Sequence, residues 1–314
     1  MNVSVVVPTF NRRDIVLRTI RTLFDQDFPA NQFEIIVVVD GSTDGSAEAL
    51  RLLPAPCRYL IIEQQNLGPA AARNHGLRNA GNDLILFVDD DMLCNAGLVR
   101  THHAAHIGDS AIIGMGSIFL SPDSPVTLAS ECFNREIGAY YLEQKSHPPT
   151  RPLRPPLVFS NTSVPKRLLL EAGSFDERLK VREDADLGIR LLANGASAQH
   201  LPHAITFQIY RKTESDLMRE AAAFAAADSL IVRKHSELAN EILPSWLKNG
   251  PGWKRRLYRV GSLSPPIADL FLLPAIWAGR AFVQSRGFRA LGARALQIRR
   301  GITWYRRFKL TEPA

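Results

Sequence analysis

Asp89-Asp90-Asp91 directly follows the apolar run Leu84-Ile85-Leu86-Phe87-Val88, which crowds three like charges at the carboxyl end of a buried strand. A divalent cation removes that conflict, and hard ions such as Mg2+ or Mn2+ take carboxylate oxygens together with phosphate oxygens from a substrate. The plainer alternative is a solvated acidic loop. Asp40 closes a second apolar run and opens Asp40-Gly41-Ser42-Thr43-Asp44-Gly45. It stands either as a turn or helix-capping residue or as a carboxylate facing a ligand. A third acidic group, Glu183-Asp184-Ala185-Asp186, lies at the start of a helical pattern. A helix cap needs only one carboxylate, so one of these, Asp184, is a candidate general base for an acceptor hydroxyl.

The elements that must carry these groups are legible in the hydrophobic pattern. Residues 3–7, 33–39, 58–62 and 84–88 are apolar, β-branched runs of the kind buried on both faces of a sheet. Between them, Val16, Ile20, Leu23 and Phe24 have helical spacing behind a candidate N-cap, Asn11. The Ala-rich segment 68–79 predicts a second helix with Gly81 near its end. The β-α-β-α-β-α-β order implies right-handed crossovers and a largely parallel, doubly wound α/β sheet, which binds ligands beyond the carboxyl ends of its strands. Past residue 110 the pattern loosens, with a Pro-rich run over 148–156. Helices are expected over 184–194, stopped by Gly195, and over 213–234.

Charge separates the chain into two regions. Residues 241–314 hold 14 Lys and Arg against 3 Asp and Glu, so the net +7 of the chain leaves −4 for residues 1–240. A nucleic-acid-binding core would be basic itself, and this one is not. Cys57, Cys94 and Cys132 have no disulfide or metal spacing and read as small buried side chains. The first residues lack the pattern of a signal peptide, so a cytoplasmic location is expected. In the tail, residues 270–279 are apolar but too short to span a bilayer. Trp253, Trp277 and Trp304 among many arginines point to amphipathic segments on an anionic membrane surface, or else to helices that cover the preceding domain or a second subunit.

The motifs Val5-Val6-Val7-Pro8-Thr9-Phe10-Asn11-Arg12, Val39-Asp40-Gly41-Ser42-Thr43-Asp44, Asn66-Leu67-Gly68-Pro69-Ala70-Ala71-Ala72-Arg73-Asn74, the Asp triplet, Phe175-Asp176-Glu177 and Glu183-Asp184-x-Asp186-Leu187 together resemble family 2 glycosyltransferases. The resemblance covers residues 3 to about 235. It implies a GT-A fold over residues 1–240 with an acceptor-side subregion, followed by the basic helical extension 241–314. It further implies an inverting transferase that moves a sugar from a nucleotide-diphosphate donor to a saccharide or lipid-linked acceptor, in cell-surface glycan or polysaccharide synthesis, with Mn2+ or Mg2+ as cofactor.

On that resemblance Pro8 and Thr9 line the nucleotide base and Asp40 accepts from its imide. Arg73 neighbours the nucleotide or diphosphate, and Asp90 contacts the ribose. Asp91 ligates the metal with Asp89 in support, Asp184 is the catalytic base, and Glu183 lies on the acceptor side. Gln208 stands where many relatives have a metal- or phosphate-binding His, which leaves a third protein ligand open; His200 and His203 lie nearby as surface candidates. A nucleotidyltransferase would need a Gly-rich basic loop after the first strand, and Pro8-Thr9-Phe10-Asn11 is none. The remaining alternative is a nucleotide-binding or scaffold protein with a degenerate site.

Overall fold

Four β-branched strands dominate the first ninety residues. In the computed structural model, which describes residues 2–108, 111–145, 158–236 and 252–311, they form β1 (Val3–Thr9), β2 (Phe33–Asp40), β3 (Arg58–Gln64) and β4 (Leu84–Val88). These pair in parallel in the order β3-β2-β1-β4. The sheet then continues through β7 (Asn161–Pro165), β6 (Ile112–Leu120), β8 (Ser197–Gln208) and β5 (Met92–Cys94), of which β7 runs antiparallel to β4 and β5 antiparallel to β8. β1, β2 and β4 are buried throughout except for a half-buried Pro8, as central strands between helical layers should be. β3 departs from the expected double burial. It is the edge strand, with Arg58 and Glu63 exposed and the residues between them half-buried.

The helices around this sheet are α1 (Arg13–Phe24), α2 (Ser46–Arg51), α3 (Pro69–Asn79), α4 (Leu98–Ala105), α6 (Lys166–Glu171) and α7 (Glu183–Ala193); α5 (Leu128–Lys145), between α4 and α6 in sequence, belongs largely to a second, helical unit. α1 begins one residue later than expected. Arg12, not Asn11, is its N-cap residue and makes no side-chain cap bond. The amide oxygen of Asn11 is already taken by the Thr43 N–H at 2.8 Å, and Asp44 Oδ2 accepts the Arg13 N–H at 2.9 Å. A turn from another βα unit thus caps α1. Gly81 does not form the C-cap of α3, where Ala80 is extended. A Cβ at Gly81 would lie 2.8 Å from Nη1 at the free end of the Arg58 side chain. Gly195, at φ +89, does follow α7 as a left-handed stop.

The chain divides into two compact units, residues 1–122 with 143–209, and 123–142 with 210–314. The first holds the sheet, with a core running through Val6, Ile36, Val38, Ile85, Phe87, Phe159 and Leu187. The second is helical. The helix expected over 213–234 is α8 (Glu214–Lys234); Thr213 stands just before it as the N-cap, and its capping box with Asp216 satisfies the first turn. α8 packs against α11 (Arg286–Thr311), which also packs on α9 (Gly252–Leu263) and α10 (Pro265–Ala281). α10 and α11 cross where Gly279 faces Gly292; a Cβ on either would sit within 2.9 Å of the other's Cα. The expected boundary at 240 and the Pro-rich run 148–156 lie outside the described residues.

Trp304 corrects one expectation. It lies buried against Ala221, Ala225 and Phe308, and its Nε1 donates to Asp228 at 2.9 Å, so it is a core residue of the helical unit and no part of an amphipathic surface. The cysteines are free thiols, with Cys94 and Cys132 buried and Cys57 half-buried.

Candidate active site

Strand register gathers the first site residues. β1 pairs Thr9 with Val39, and β1 and β4 run in parallel with Val6 opposite Phe87, so Thr9, Asp40 and the triplet emerge on one sheet edge. Thr9 Oγ1 donates to Asp90 Oδ2 at 2.7 Å, and Pro8 precedes it within β1. The main chain of the triplet is pinned. Asp89 N–H donates to Ser160, Thr19 Oγ1 to the Asp90 carbonyl and Ile209 N–H to the Asp91 carbonyl. Such anchoring holds three carboxylates in place that would otherwise turn away from one another into solvent.

Every carboxylate of the triplet has a cationic partner, and Asp90 and Asp91 share one. Asp89 accepts from Arg73 Nη2 at 2.8 Å. Asp90 accepts from Arg12 at 2.8 Å, and Asp91 from Arg12 at 3.2 Å and from Gln208 Nε2 at 3.1 and 3.2 Å. Burial raises the Asp90 carboxyl above its ordinary range against the opposing charge of Arg12. Burial and the neighbouring Asp90 push Asp91 up to about 7, with Arg12 and Gln208 acting in the other direction. Arg12, for which sequence reasoning assigned no role although it closes the first motif, is the cation between them. Burial works against its charge, but Asp90 and Asp91 outweigh this and hold it fully protonated.

Arg73 joins this edge to α7. Its guanidinium is buried, donates to Asp89 and, from Nη1, to Glu183 at 2.6 Å, and lies 5.6 Å from the centre of the Phe175 ring. Its Nε has no hydrogen-bond partner. Asn74, next in sequence, exchanges hydrogen bonds with the Phe175 backbone and reaches Glu177, which fixes the Phe175-Asp176-Glu177 segment against α3.

On α7, Asp184 is half-buried and accepts from the Ala185 N–H at 2.7 Å. Burial and the adjacent Glu183 push it up to about 6, against Arg182 and Arg73. A carboxylate poised there is ionised near neutrality yet basic enough to accept a proton. Asp186 is fully buried and bonds Arg190, which in turn donates to the carbonyls of Ala172 and Ser174. That pair ties α7 to the end of α6 and explains the third acid of the cluster as structural.

Asp40 is also heavily engaged. Its Oδ1 accepts from Gln64 at 2.7 Å and the Leu67 N–H at 2.9 Å, and its Oδ2 from the Gly68 N–H at 2.9 Å. An ionised carboxylate has about four acceptor positions, so one stays open on Oδ2. His200 bonds Ser117, while His203 is exposed and its backbone carbonyl accepts from Asn95.

The donor set fits a hard divalent cation that shares its ligands with a phosphate group. Asp91 and Asp89 offer carboxylate oxygens, burial and the neighbouring Asp90 hold Asp91 above its ordinary range, and the Gln208 amide lies against Asp91. Among the described residues no cluster of three or more His, Cys, Asp or Glu could hold a metal by itself, so further ligands would come from a substrate, the usual arrangement for Mg2+.

Residues 4–146 match the sequence profile described as glycosyl transferase family 2. Validoxylamine A glucosyltransferase of Streptomyces hygroscopicus subsp. jinggangensis is 30% identical over 272 residues, covering 76% of this chain and 62% of its own. The chain spans 62% and 58% of the two curated validoxylamine A glucosyltransferases it matches. Among solved structures, the mannosyltransferase PcManGT of Pyrobaculum calidifontis, in complex with GDP-Man and Mn2+, superposes with a TM-score of 0.62 at 19% identity over 95% of this chain and 85% of its own. Staphylococcus aureus TarS 1–349 with UDP gives 0.52 at 18% identity over 95% and 90%.

Proposed function

We propose that this chain, which has the GT-A fold and carries a glycosyl transferase family 2 domain, transfers a sugar from a nucleotide-diphosphate donor to an acceptor hydroxyl with inversion, assisted by Mn2+ or Mg2+. The observation that carries this reading is Arg73. One buried guanidinium holds Asp89 and Glu183 at 2.8 and 2.6 Å, so the donor-side carboxylates and the acidic start of α7 share one frame.

Pro8 and Thr9 border the base, and the open acceptor position of Asp40 receives its imide N–H while the Asp40–Gly68 contacts shape the adjoining loop. Asp90 accepts from the ribose. Asp91, supported by Asp89, would hold the cation, which when bound neutralises the departing diphosphate. Asp184 takes the proton of the acceptor hydroxyl as oxygen attacks the anomeric carbon, and Glu183, held by Arg73, borders the acceptor. Developing charge is thus met by groups fixed beforehand.

No single helix among the described residues is long and apolar enough to cross a membrane; Arg256–Leu263 and Pro265–Ala281 pass only as a pair, bent by 114°. α10 nevertheless exposes Ile267, Leu270, Phe271 and Trp277, and residues 252–311 hold 13 Lys and Arg against one Asp. We assign this face to the anionic cytoplasmic surface of a membrane. A lipid-linked or growing saccharide acceptor in cell-surface glycan synthesis fits that placement, and the likeness to TarS, named a poly(ribitol-phosphate) β-N-acetylglucosaminyltransferase, supports it.

Gln208 favours a second reading, a nucleotide-binding protein without turnover, because its amide satisfies Asp91 without a metal. One experiment separates the two. GDP-mannose, UDP-glucose and UDP-GlcNAc are incubated with the full chain, a lipid or polysaccharide extract, and Mn2+, Mg2+ or chelator. Metal-dependent sugar incorporation that Asp184→Asn abolishes supports transfer; nucleotide binding with no incorporation under any condition supports the second reading.

A further inference from the structure

Arg12 occupies a place that none of the roles above explains. From a single nitrogen, Nη1, it donates to Asp90 Oδ1 at 2.8 Å and Asp91 Oδ2 at 3.2 Å, spanning the carboxylates assigned to ribose and metal. The main chain beside it is fixed. Asn11 N–H donates to Ser42 Oγ, Thr43 N–H to Asn11 Oδ1, and Arg13 N–H to Asp44 Oδ2. Its side chain, by contrast, is 40% exposed while those of Asp90 and Asp91 are 8% exposed. A long side chain on an anchored backbone can leave the buried carboxylates without any movement of β1 or α1.

We propose that Arg12 is the resident counter-cation of this site, which holds Asp90 and Asp91 together in the metal-free protein and makes metal entry conditional on a nucleoside diphosphate. The inference rests on the metal-dependent reading above. A guanidinium on Asp91 Oδ2 competes with a dication for the same lone pairs and repels it. A diphosphate changes both terms, since its oxygens give the guanidinium a new, planar, charge-assisted partner and give the metal further oxygen ligands. Metal and diphosphate therefore bind with positive coupling, and linkage makes the coupling reciprocal.

The test is Mn2+ alone, titrated into the full chain and followed by the electron paramagnetic resonance signal of free Mn2+, then repeated with UDP and with GDP. In the wild type, nucleoside diphosphate should tighten Mn2+ by about 5- to 150-fold, the usual range of such coupling. Arg12→Gln should bind Mn2+ alone at least about fivefold more tightly than wild type and lose most of the gain from nucleotide. Arg12→Lys, which keeps the charge but not the planar fork, should bind Mn2+ alone more weakly than Arg12→Gln does. Equal Mn2+ affinity in wild type and Arg12→Gln, with nucleotide-dependent Mn2+ binding intact, overturns the role of Arg12 and leaves metal dependence standing. Absence of Mn2+ binding in every protein with either nucleotide overturns both. Should Arg12→Gln not fold, the wild type still decides, because identical Mn2+ affinity with and without nucleotide refutes the coupling.

Discussion

Asp184 owes its basicity to burial and to Glu183, and the direction of that shift has two opposite consequences. Only the ionised form accepts a proton, so the rate of transfer at subsaturating donor should rise through a pH of about 6 and level off above it. Because the folded carboxyl sits above its ordinary 3.8, the folded state binds more protons between those values, and the contribution of Asp184 to stability falls as pH rises through the same window. Asp184→Asn should lower transfer by about 10²- to 10⁴-fold and remove the step near pH 6, with nucleotide affinity nearly unchanged. A retained step in the pH–rate profile of the variant would place the base elsewhere. Asp186→Asn acts differently, because it breaks a fully buried pair with Arg190. Its signature should be a loss of about 3 kcal/mol in denaturant unfolding. Asp40 likewise has a double role. Asp40→Ala should weaken UDP or GDP binding and also loosen the 64–68 loop, whose two backbone N–H groups lose their acceptor; unchanged nucleotide affinity in calorimetry would remove Asp40 from the binding site.

At the scale of elements, the turn after β2 does more than reverse the chain. Gly41 has φ +75, and a Cβ there would stand 2.6 Å from the Asn66 backbone nitrogen. The same turn provides Ser42, Thr43 and Asp44, which position Asn11 and the first turn of α1. Gly41→Ala therefore strains the backbone and displaces the loop that Asp40 holds. We expect a loss of about 2 kcal/mol in stability, from the left-handed conformation and the overpacking together, with weaker nucleotide binding. Thermal unfolding of the variant at wild-type midpoint would show that the loop yields without cost.

For the whole molecule, the proposed membrane face is testable only without dismantling the helical unit. Removing residues 241–314 would strip α11 from α8 and leave Ala221, Ala225 and Asp228 without Trp304, so loss of vesicle binding would not distinguish a surface role from unfolding. Leu270→Ser, Phe271→Ser and Trp277→Ser together change only exposed side chains. This triple variant should retain its melting temperature and lose about tenfold or more of its sedimentation with anionic vesicles. Binding of the parent protein should also fade as salt shortens the Debye length, about 10 Å at 0.1 M. Equal sedimentation of variant and parent would assign α10 to another partner.

The strands β1, β2 and β4, the Asp triplet at a strand end, the Gly195 stop and the helix that follows Thr213 were all legible in the sequence, because each depends on local periodicity or on a residue type at a fixed offset from an apolar run. The motif order carried the GT-A resemblance for the same reason. What local pattern does not encode is which distant side chain satisfies a buried charge. Arg12 on Asp90 and Asp91, Arg73 between Asp89 and Glu183, and Asp186 spent on Arg190 join residues far apart in the chain or choose among adjacent acids, and only the folded sheet and α7 decide them. The same holds for Asp44 in place of Asn11 at the head of α1, and for Trp304, whose apolar ring and single donor suit a core or a membrane surface equally until Asp228 and α8 are brought against it.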